Sequence, residues 1–238
     1  MADLKYTSLK ASTSAFSDLM KKFAVVTVMN AKVYDTAEVL GDGKTFDQIA
    51  AAESDTGNAQ GILDTFLKAN PVCKLDTLKV ANVTIEGPTK SITGGRYADT
   101  LIKYGKTATM EIQDALGSAA AIEALCGGLQ ESSAASNGTL GALHIGSDFS
   151  STKTIIGDTF FLDENGQQVK VYIIFYQFVP DSLFNLTQDA EGDATVFDMN
   201  GTLKTTEIKV STATDSTSIS HGVFYSILPY TEKTTTTD

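Results

Sequence analysis

KTIIGDTFFLDENGQQVKVYIIFYQFVP, residues 153–180, holds two runs rich in β-branched and aromatic residues on either side of DENGQ at 163–167. Asn165-Gly166 favours positive φ at both turn positions, so Lys153 to Leu162 and Val169 to Val179 read as a tight antiparallel hairpin. The second arm, VKVYIIFYQFV, is apolar on both faces. That predicts a strand held between two layers, which Pro180 then ends.

On the carboxy-terminal side, Leu183 to Leu186, Ala194 to Leu203 and Thr205 to Val210 read as further strands, with Asn200-Gly201 as a turn. TEKTTTTD at 231–238 is low in complexity and reads as a tail. On the amino-terminal side, KTATMEIQDAL alternates: Ala108, Met110 and Ile112 on one side, Thr107, Thr109, Glu111 and Gln113 on the other. One face is buried and one is wet. VTIEG and SITGG alternate likewise, punctuated by Gly87-Pro88 and Gly94-Gly95. Ala115 to Leu129 reads as a helix, its apolar residues spaced by three and four, with Gly127-Gly128 closing it and a loop over 130–139 following. Phe23 to Met29 reads as a buried strand. Residues 35–72 change texture: GDG at 41–43, the helix-like TFDQIAAAE, a polar break and a second helical segment to Asn70, stopped by Pro71. A long excursion between strands suggests binding or lid formation.

The charge balance of 18 Lys and Arg against 29 Asp and Glu gives −11, a field that repels a polyanion rather than gripping one. Two His and two Cys are too few for a closed zinc centre beside any other role, or for a disulfide scaffold. Cys73 and Cys126 are expected to be reduced. MADLKYTSLK has no charged-then-apolar leader pattern, so synthesis in the cytosol is expected, and no apolar run is long enough to span a bilayer as a helix.

Chemistry-bearing motifs are weak. GDGKT at 41–45 resembles the end of a phosphate loop, but Glu38 stands where that pattern needs Gly, and a solvated turn is favoured. His144 and His221 lie beside no nucleophile signature. Asp163 with Glu164, and Glu191 with Asp193, fall at turn positions where acidic residues serve the backbone. No catalytic, cofactor or metal site is predicted, and the chain is not expected to be an enzyme.

GPTKSITGGRYADTLIKYGKTATMEIQDALG (87–117) and FVPDSLFNLTQDAEGDATVFDMNGTL (178–203) together resemble the major tail, or tail tube, proteins of long-tailed bacteriophages. The resemblance implies a mainly β (α+β) fold: a β-sandwich flanked by one α-helix, with a long β-hairpin contributing to an oligomeric β-barrel. The expected organisation is an arm at 1–22, the domain at 23–212 with its partly helical insertion at 35–72, and a carboxy-terminal arm at 213–238. Homohexameric rings would stack into a tube that conducts viral DNA without specific binding. Its partners would be initiator and terminator complexes and a tape measure protein, with the virion as its location and no membrane involved.

Barrel strands are expected at 80–93 and 101–114, which makes Glu86 and Glu111 candidates for the lumen; outside solvent is the equal alternative for both. Asp42, Phe46, Ile49 and Phe66 are candidates for contact between rings, the three apolar ones serving equally well as internal core. Rival readings are a contractile-system inner tube, a capsid decoration protein, or a carbohydrate-binding or hydrolytic β-sandwich.

Overall fold

The computed structural model describes residues 24–25, 30–41, 43–49, 58–76, 78–93, 99–103, 105–114, 118–130, 143–146, 150–162, 166, 168–181, 185–186, 197–212 and 215–229. Its strands are β1 (Ala24–Val25), β2 (Asn30–Asp35), β3 (Cys73–Leu75), β4 (Leu78–Glu86), β5 (Thr89–Thr93), β6 (Asp99–Lys103), β7 (Thr107–Asp114), β8 (Leu129–Gln130), β9 (Leu143–His144), β10 (Lys153–Leu162), β11 (Gln168–Pro180), β12 (Asn185–Leu186), β13 (Phe197–Leu203), β14 (Thr206–Thr212), β15 (Asp215–Val223) and β16 (Tyr225–Pro229). Helices α1 (Thr36–Leu40), α2 (Ala59–Lys68) and α3 (Ala119–Cys126) and a 3-10 turn at Phe46–Gln48 complete the described elements. The chain is mostly β and its pairing is antiparallel.

The β10–β11 hairpin forms as its sequence requires, with Gly166 at φ 77° in the turn. Asn165 lies outside the described residues. Both faces of β11 are covered. Ile173, Phe175 and Phe178 join a core with β2, β3, β7, β13 and α3, while Tyr172, Ile174 and Tyr176 pack beneath α2 and the 3-10 turn.

Faces alternate along a strand, so Phe175 and Phe178 share one only through an irregularity. Lys153 pairs with Phe178 and Ile155 with Phe175: three steps on β11 match two on β10, a β-bulge with Tyr176 and Gln177 opposite Thr154. Thr154 Oγ1 donates to Tyr176 O at 2.9 Å within it. There β11 also exchanges neighbours, from β16 (Val171 to Phe175) to β13 (Phe178 to Pro180).

The main sheet runs β3-β2-β10-β11-β13-β7-β4. Its two end strands are consecutive in the chain. Three Cα steps from Leu75 to Leu78 cover at most about 11 Å. The sheet is therefore rolled, and residues from both ends meet in the first core.

Several boundaries differ from the sequence expectation. The 115–129 helix begins after Ser118, whose Oγ accepts from Ala121 N, and stops at Gly127 in the left-handed region; Leu129 is strand and 65% exposed. Of the helix-like TFDQIAAAE, Phe46–Gln48 forms a 3-10 turn and Ile49 is extended; residues 50–53 lie outside the described residues. Asn200 and Gly201 lie within β13, not in a turn. Within the stretch expected as a carboxy-terminal arm, β15 pairs with β14, and β16 joins β11 with Ile227 and Leu228 packed into cores. Residues 1–22 and 230–238 lie outside the described residues.

Candidate functional site

The second face of β4, β7 and β13 is polar throughout its described side chains. On β7, Ala108, Met110 and Ile112 are buried, so period-2 alternation turns Thr107, Thr109, Glu111 and Gln113 the other way. Register aligns the neighbours. Asn82, Thr84 and Glu86 of β4 stand opposite Glu111, Thr109 and Thr107. Asp198, Asn200 and Thr202 of β13 stand opposite Gln113, Glu111 and Thr109. Glu111 thus lies between two asparagines in the register and accepts from Gln113 Nε2 at 3.2 Å.

Glu86 shares this face but lies four residues along β4 from Asn82, about 13 Å from the Glu111 row at strand rise. Asp181, just past β11, accepts from Thr202 Oγ1 at 3.1 and 3.3 Å, and its N–H donates to Asn200 O at 2.9 Å. A depression of about 290 Å³ is lined by Asn82, Thr84, Thr109, Glu111, Asp181 and Asn200, among others. The titratable side chains described on the face are carboxylates: Glu86, Glu111, Asp181 and Asp198. Asp198 Oδ1 is buried and has no hydrogen-bond partner.

β4 is the last strand of the sheet, and no described strand pairs with its outer edge. The β4–β7 ladder continues into β5–β6: Glu86 pairs with Thr107, then Thr89 with Lys103, offset by one residue across Gly87-Pro88 and Gly105-Lys106. Among the described residues, β5 and β6 pair only with each other. The two ladders follow one another along the chain as successive parts of one hairpin.

Phe46, Ile49 and Phe66, offered above for contact between rings, are 1%, 5% and 0% exposed. Phe46 stacks on Phe66 at 5.9 Å and meets Tyr176 edge-on at 5.4 Å. In this fold they are core, as the alternative reading had it, because the excursion folds back over β11. Asp42 lies outside the described residues. Burial pushes the Tyr176 hydroxyl up to about 12 although it donates to Ser226 Oγ at 2.7 Å.

Gly41 and residues 43–45 follow the five-residue α1, whereas a phosphate loop joins a strand to a helix. His144 and His221 are exposed on separate two-stranded ladders. No cluster of three or more His, Cys, Asp or Glu able to hold a metal occurs among the described residues, and no described helix is long and apolar enough to cross a membrane. Asp163, Glu164, Glu191 and Asp193 lie outside the described residues. Sequence reading missed Asn82, Asp181, Asp198 and Asn200. The alternation of β7 signalled the face, but its other strands become legible only through register. No protein-family model matches the chain, and no curated protein matches it.

Proposed function

We propose that the chain is a non-enzymatic virion protein, the subunit of a viral tail tube. In this reading the rolled sheet is a β-sandwich flanked by α3, and the long hairpin joins its counterparts in five other copies to close a barrel. The observation that carries the reading is the face centred on Glu111, spread across three adjacent strands, polar, carboxylate-bearing and ending at the open edge of β4. A nine-residue strand whose outer edge pairs with no described strand invites strand addition, and ring closure removes every such edge. The runs 87–117 and 178–203, which carry the resemblance to tail tube proteins, supply β7 and β13, neighbours on that face.

Glu86 and Glu111 then line the lumen. A wall of carboxylates, hydroxyls and amides repels phosphates and offers no counterion release, so DNA traverses it without being held. Rings stack, meet initiator and terminator complexes at the ends and enclose a tape measure protein before DNA passes; no membrane step is involved.

Assembled particles of Glu86→Lys and Glu111→Lys test the wall. Both variants are expected to form particles like the parent chain and to retain double-stranded DNA at low salt where the parent does not. Glu86 is exposed, so its reversal does not disturb the core. Equal DNA retention by parent and variants contradicts a lumen position.

A further inference from the structure

We draw no further inference here: the strongest candidate, the depression lined by Glu111 and Asp181 on the polar face of β4, β7 and β13, belongs to the site already described, and its carboxylates among amides and hydroxyls single out no ligand.

Discussion

Gly201 lies so close beneath Phe178 that a Cβ on it would sit 2.2 Å from ring carbon Cε2 and 2.7 Å from Val179 O. No side chain fits there without moving backbone. The absent side chain is what lets β11 cross from the β16 to the β13 ladder with Phe178 turned into the core. Gly201→Ala is expected to cost about 1–3 kcal/mol in denaturant unfolding, as overpacking does. Combining it with Phe178→Leu should recover part of that loss, a coupling of at least about 0.5 kcal/mol in a double-mutant cycle. Strict additivity would contradict the contact.

Phe46 tests the reassignment of the excursion's aromatics. Phe46→Ala removes a ring stacked on Phe66 and edge-on to Tyr176, and should cost the isolated chain about 3–5 kcal/mol of stability. Loss of assembly with unchanged unfolding of the isolated chain would instead make it a contact between copies.

Asp35 and Lys153 tie β2 to β10. Burial alone would raise the Asp35 carboxyl, but hydrogen bonds from Lys153, Ser151 and the Glu38 N–H, with the charge of Lys153, hold it at about 2 rather than 3.8. A depressed carboxylate contributes stability that is complete above its unfolded value, here near 3.8, and is lost as pH falls through about 2. Its size is about 2 kcal/mol. Unfolding free energy measured from pH 5 down to 2 should fall correspondingly less in Asp35→Asn. Lys153→Met, which strands the carboxylate, should cost about 3 kcal/mol at neutral pH. A parent and Asp35→Asn chain with parallel acid profiles would contradict this.

Asp198 places a buried oxygen without a partner on the polar face. Asp198→Asn removes charge while keeping shape, so the isolated chain should gain about 1 kcal/mol. A loss of that size in thermal unfolding would mean that the carboxylate has a favourable partner.

The hairpin at 153–180 was legible because turn chemistry and periodicity agree there, and the wet side of β7 because a buried neighbour enforces alternation. Gly201 misled for the opposite reason. Asn-Gly reads as a turn unless a distant ring needs the room, and the ring belongs to a residue 23 positions earlier in the chain. The β11 bulge leaves no local trace either, since Tyr176-Gln177 continues an apolar run; only the register with β10 exposes it. Strands β15 and β16 fall in the stretch that the resemblance gives as a carboxy-terminal arm, and Ile227 and Leu228 carry packing there that no local periodicity announces. Asn82 and Asn200 flank Glu111 through pairings that depend on all three strands at once.

A reconstruction of the assembled particle by cryo-electron microscopy, at a resolution that traces side chains, measures most directly where the Glu111 face points. A hollow axis walled by Thr109, Glu111 and Asn200, with β4 hydrogen-bonded to a neighbouring copy, is the expected result. A particle without an axial passage, or one in which this face looks outward, contradicts it.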